Sequence, residues 1–135
     1  MRREEAVAVA SQYGIRSCLA FLQTKRACEE DEVVVELDAD ALRGVAAVFV
    51  GRWKGKVVVL PPSLEIMFFV NGDEPEEERE EEVVMDVTSL LQPGLNTISL
   101  YHAVNGVREV GVVVGREEEE GIRIEEEEDA CDEFF

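Results

Sequence analysis

Apolar residues in this chain fall in short blocks, mostly Val, Ile, Leu and Phe, broken by Gly, Pro, Asn and acidic residues. Blocks of this length and composition read as strands rather than helices. The most informative stretch is 64–100. Residues 64–70, LEIMFFV, are apolar except at Glu65, which predicts a strand covered on both faces. Asn71-Gly72 ends it as a turn, and residues 83–87 return as its hairpin partner. Thr88 is placed to cap a single helical turn over 89–91, because a hydroxyl can accept from free backbone N–H groups. Leu90 and Leu91 would anchor that turn in the core. Pro93-Gly94 suits a type II turn, and residues 97–101 re-enter a strand.

The rest of the chain follows the same pattern. Residues 1–12 form a mixed lead-in, a short helix or an edge strand. Strands are expected at 13–22, 32–37, 45–50, 57–60, 97–104, 110–114 and 122–126. Residues 51–56, with Trp53 among them, are a tight connection, and Pro61-Pro62 stops the strand that follows it. Two segments, AAVFVGRWKGKVVV and IMFFVNGDEPEEEREEEVVM, echo each other as strand, turn and return strand; two related hairpins explain the echo. Eight to nine short strands with turn signals about every 8 to 14 residues, and no long amphipathic helix, predict an all-β fold. The expected architecture is an antiparallel β-sandwich of the jelly-roll kind. A single sandwich domain would cover 1–128, followed by an acidic tail at 129–135.

Charge narrows the partners. The chain of 135 residues carries 13 Lys and Arg against 31 Asp and Glu, a net charge of −18. Such a field repels phosphate backbones and anionic lipid, which sets nucleic acid and membrane surfaces aside. No apolar run is long enough for a transmembrane helix, and the start lacks the apolar region of a signal peptide, so a cytoplasmic location is expected. Cys18, Cys28 and Cys131 match no zinc or disulfide pattern and read as thiols in a reducing compartment. Scarce Asn and Gln, abundant Val and 33% charged residues suit a thermostable chain, and a hyperthermophile's protein with a Cys18–Cys28 bridge or a designed sequence would share them.

The segments VFVGRWKG, LEIMFFVNG, DVTSLLQPGLNTISL and ISLYHAVNGVREVGVVVGREEEEGIRI, in that order, resemble the galactose-binding-like jelly-roll domains of β-galactosidases of glycoside hydrolase family thirty-five. There a strand ends in a V-N-G hairpin, and a later segment reads roughly L-x-x-G-x-N-x-I-x-L-L. YGIRSCLAFL takes the place of the entry strand, and the DVT-x-LL-x-PG-x-N segment also resembles sugar-binding domains of family-two enzymes. The resemblance spans about residues 12–124. This chain departs from the pattern in the V-G of its first hairpin, in Cys18-Leu19 for a Tyr-Arg pair, and in Glu109-Val110-Gly111. The resemblance implies a non-catalytic accessory module, since the catalytic carboxylates of those enzymes lie on a separate barrel.

The candidate chemistry fits a binding module better than an enzyme. Glycosidases need one carboxylate pair in a cleft, about 5 to 10 Å apart. The acids here gather instead in solvated runs at 76–78, 80–82, 117–120 and 125–128, which also block edge-to-edge strand pairing. His102 is the chain's one histidine and reads as a packed or surface residue. Sugar binding asks for an aromatic face with polar side chains beside it. Trp53 with Arg52 is one candidate; the alternative is that Trp53 covers the end of the core. Tyr101 and Asn105 form a second, and Tyr101 and His102, adjacent on a strand, face opposite sides. Asp38 and Asp40 beside a turn are hard oxygen ligands suited to a structural calcium. The partner is then a galactose-type glycan or a glycoside hydrolase chain. The competing expectations are a structural or designed sandwich without ligand and a protein–protein interaction subunit.

Overall fold

The computed structural model describes residues 1–61, 64–75, 83–104, 106–107 and 109–117. One helix, α1 (Arg3–Ser11), precedes eight strands: β1 (Ile15–Thr24), β2 (Glu30–Leu37), β3 (Val45–Trp53), β4 (Lys56–Val59), β5 (Ile66–Val70), β6 (Val84–Asp86), β7 (Gly94–His102) and β8 (Val110–Glu117). The expected all-β sandwich is the fold observed. A five-stranded sheet runs β1-β8-β3, and the far edge of β3 is shared by β4 and β6. A three-stranded sheet, β2-β7-β5, packs against it, and all pairings are antiparallel. Every connection except the β3–β4 hairpin crosses between the sheets, as in a jelly roll.

The core lies in two layers. Between the sheets, Leu22, Phe49, Phe68, Ile98, Leu100 and Val112 are buried, and the Phe49 and Phe68 rings meet edge to face at 5.6 Å. The second layer covers the outer face of the five-stranded sheet. There Ala6 and Ala10, one helical turn apart on α1, sit on Val48, Val50 and Val113. Small alanine side chains let the helix approach the sheet closely. Glu4 and Glu5 in its first turn complement the positive end of the helix dipole. Residues 45–51 and 110–115 are consequently buried at every position. Gly115 marks the tightest approach: a Cβ there would sit 2.1 Å from the Ser17 carbonyl oxygen, where β1 bulges onto β8.

Several expectations about residues 64–100 are corrected. β5 is not covered on both faces. It is the edge strand of the three-stranded sheet, with Phe68 and Val70 buried and Met67 exposed. β5 and β6 do not form a hairpin, because β6 pairs with β3 in the opposite sheet. The echo of two hairpins therefore has one true member, β3–β4. Asn71-Gly72 does form a tight turn, with both φ positive and Val70 bridged to Asp73, but it closes on β5's own end. Thr88 does not cap with its hydroxyl. It opens the 3₁₀ turn Thr88–Leu90, its N–H donates to Asp86 Oδ1 at 2.9 Å, and its hydroxyl binds the backbone of Val45.

The corner after that turn is held by two asparagines. Asn96 is fully buried: its Oδ1 accepts from the Gln92 N–H and from Asn71 Nδ2, both at 2.9 Å, and its Nδ2 donates to Gln92 and Gly94 carbonyls. Asn71 also donates to Leu90 O and accepts from the Thr97 N–H. Gly94, with φ +99, makes the expected turn, and Leu91 is buried. The lead-in resolves as helix rather than strand. The strand expected at 122–126 and the tail at 129–135 lie outside the described residues.

Candidate functional site

The hairpin β3–β4 has the local chemistry of a rigid turn. Lys54 and Gly55 both have positive φ, 50° and 80°, the signature of a type I′ two-residue loop whose twist matches its flanking strands. Trp53 and Lys56 are the paired residues at its base. Trp53 is thus the last residue of a strand, not part of a connection. Its indole is 46% exposed, the Lys54 Nζ lies over it at 5.7 Å from the ring centroid, and the Gly106 backbone passes beside its edge. The β7–β8 turn therefore supports one side of the ring and solvent reaches the rest.

Arg52 points the other way, since neighbours on a strand face opposite sides. Its guanidinium is fully engaged. Nε donates to Glu109 Oε2 at 3.2 Å, Nη2 to Glu5 Oε1 at 3.0 Å and Nη1 to the Gly55 carbonyl at 3.3 Å. Glu109 Oε1 also accepts from Gln23 Nε2 and from the Met1 ammonium. The Met1 ammonium first, and Arg52 after it, hold the Glu109 carboxyl below its ordinary range. The Arg2 N–H, then Arg52, do the same for Glu5. This cluster ties α1 to the hairpin, and Arg52 belongs to it rather than to a surface beside Trp53. Glu5, Gln23 and Glu109 are the residues that sequence reasoning missed. They are 47, 29 and 57 residues from Arg52 in sequence, so no local spacing signals them.

The remaining predicted residues that are described belong to other elements than the β3–β4 hairpin. Tyr101 lies on the outer face of the three-stranded sheet, in register with Glu30 and Met67, and the Cys28 thiol beside its hydroxyl raises its pKa. His102 faces the side opposite Tyr101, as the alternation requires; that side is the interior, and the residue is fully buried. Its Nδ1 accepts from the Val104 N–H at 3.3 Å, its Nε2 has no partner among the described residues, and burial lowers its pKa. Asn105 lies outside the described residues. The Asp38 carboxylate accepts from the Ala41 N–H at 3.0 Å and caps the 3₁₀ turn Ala39–Leu42, while Asp40 sits exposed within that turn. Among the described residues, no three His, Cys, Asp or Glu side chains gather as a metal would require. Cys18 and Cys28 are free thiols rather than a bridge. A shallow recess lined by Phe49, Ile66, Phe68, Glu74, Pro75 and Met85 opens between the sheets where β5 and β6 part, and contains none of the predicted residues. No helix among the described residues is long and apolar enough to cross a membrane.

Compared with known proteins, the chain matches no protein-family model and no curated protein sequence.

Proposed function

We propose that this domain is a non-catalytic carbohydrate-binding accessory module, of the kind the jelly-roll domains of β-galactosidases represent, and that its sugar site is the Trp53 hairpin. One observation carries the reading: the chain's single tryptophan stands half in solvent on a rigid type I′ hairpin at the end of a β-sandwich. An indole so placed presents a flat apolar surface with little conformational entropy to lose, which suits the apolar face of a pyranose ring. Polar groups beside it supply hydrogen bonds to hydroxyls. The ligand class proposed is a galactose-type glycan, and the setting proposed is a reducing, cytoplasmic one, which the free thiols of Cys18 and Cys28 support.

Because Trp53 is the only indole, its fluorescence reports the site directly. Titrating the full chain with galactose-type oligosaccharides is expected to shift or quench that emission in a saturable way. In Trp53→Ala, read by calorimetry, the binding heat is expected to vanish while the melting temperature stays within a few degrees. A silent titration in both measurements would sink the reading.

A second reading rests on a different observation. On the outer face of the three-stranded sheet, Val34, Met67 and Leu95 are exposed, with Phe69 and Tyr101 half-buried among them. Such a face suits an interaction subunit docked on a glycoside hydrolase chain. Leu95→Arg would abolish that association and leave sugar binding intact.

A further inference from the structure

The charge distribution around Trp53 narrows the class of sugar. All three lysines of this acidic chain, Lys25, Lys54 and Lys56, leave the sandwich at the same end. The sheet register places them there: Thr24 and Gly51 flank Val110 on either side, so the chain after β1 and the β3–β4 hairpin emerge together. Lys25, Arg26, Lys54 and Lys56 are all exposed. Lys56 is directly opposite Trp53 in the hairpin, so both side chains stand on one face of the sheet. Lys54 already places its ammonium over the indole. The carboxylates of Glu5 and Glu109 are matched by Arg52 on the opposite face. Glu29, Glu30 and Glu65 also lie at this end, on the three-stranded sheet that the Trp53 and Lys56 side chains face; Glu30 pairs with Tyr101 on its β2 edge, and Glu65 O receives the Ala103 N–H.

We propose that the Trp53 end takes a pyranose bearing a single anionic substituent, a carboxylate or a sulfate, with the ring against the indole and the anion between Lys54 and Lys56. This rests on the carbohydrate-binding reading above and adds the substrate class. The net charge of the protein does not oppose it at physiological salt. Charges beyond about 8 Å are largely screened there, so for a ligand small enough to stay within the lysine pair those two ammonium groups outweigh the distant acids that make up most of the net charge. A polyanion such as a nucleic acid would extend past this patch onto acidic surface and lose the gain.

The test uses the full chain at about 0.15 M salt, with Trp53 fluorescence as the readout. Four ligands are compared: a neutral galactose oligosaccharide, a galacturonate oligosaccharide, a sulfated galactose oligosaccharide and inorganic sulfate. At least one anionic sugar is expected to bind tenfold or more tightly than the neutral one, and which of the two does so separates carboxylate from sulfate. The double variant Lys54→Asn, Lys56→Gln is expected to erase that advantage, so that the anionic sugar loses at least tenfold more affinity than the neutral one. Asparagine tolerates the positive φ at position 54 and both positions are exposed, so the variant keeps its fold, which a thermal melt verifies. Equal binding of neutral and anionic sugars, or an advantage that survives the lysine changes, overturns the anionic preference and leaves the sugar reading standing. Inorganic sulfate matching the sulfated sugar overturns it as well, since the ring would then contribute nothing. Silence toward all three sugars overturns both readings together.

Discussion

The two sheets of this sandwich are built from similar residues and live in different surroundings. The five-stranded sheet is covered on its inner face by the other sheet and on much of its outer face by α1, so Val48 and Val113 on that outer side are fully buried. The three-stranded sheet is covered on its inner face alone. Its outer face shows Val34, Met67 and Leu95 at 54%, 45% and 63% exposure. A valine on one outer face is core and a valine on the other is surface, and what separates them is a nine-residue helix with two buried alanines.

That contrast can be broken by mutation. The largest effect is expected at Gly115, where any Cβ collides with the Ser17 and Ile15 of a neighbouring strand. Gly115→Ala should lose about 4 kcal/mol or more, seen as loss of a cooperative urea transition, because the obstacle includes backbone that cannot rotate away. Next comes a matched pair on the two outer faces. Val48→Ala should cost about 2 kcal/mol by denaturant unfolding, and Leu95→Ala should stay within about 0.5 kcal/mol. Similar costs at both positions would show that the three-stranded sheet is covered in solution.

The smallest effect is a pH dependence that belongs to the three-stranded sheet. His102 is buried with its pKa below the ordinary value of 6.5. The unfolded chain takes up a proton near that value and the folded chain does not. The histidine therefore costs nothing above pH 6.5 and lowers stability progressively as the pH falls from there toward the folded pKa. His102→Phe should flatten that part of the stability profile, while carboxylates titrating at lower pH respond alike in both proteins.

The legible parts of the fold were those written in local periodicity and turn chemistry. Strands at 45–50 and 110–114, the Asn71-Gly72 turn and the Pro93-Gly94 corner are all found where residue types demand them. What was not legible is which strand pairs with which. Asn71-Gly72 is a strong hairpin signal, which favours pairing β5 with β6. The side chain of Asn71 turns instead to Asn96, 25 residues on, and β6 crosses to β3. Burial on both faces is likewise not legible at 64–70, because six apolar residues among seven cannot say whether a helix lies over the strand. At the site, the sequence offers two aromatic candidates, Trp53 and Tyr101, and cannot say that they stand on different sheets. Arg52 looked equally available until Glu5 and Glu109 came together around it.

The strand order also fixes when this chain can fold. β7 is the centre of one sheet, between β2 and β5, and β8 stands between β1 and β3 in the other. Both come last among the described strands. As the chain is synthesised, β1, β2 and β5 have no neighbour to pair with until residues 94–117 have appeared. Among the described strands, β3 alone finds partners earlier, first β4 in its hairpin and then β6. Assembly thus waits on the last third of the chain and must then make many distant pairings at once, a route that is intrinsically slow. The acidic residues of β2 and of the stretch 73–82 oppose edge-to-edge pairing of copies while those segments wait.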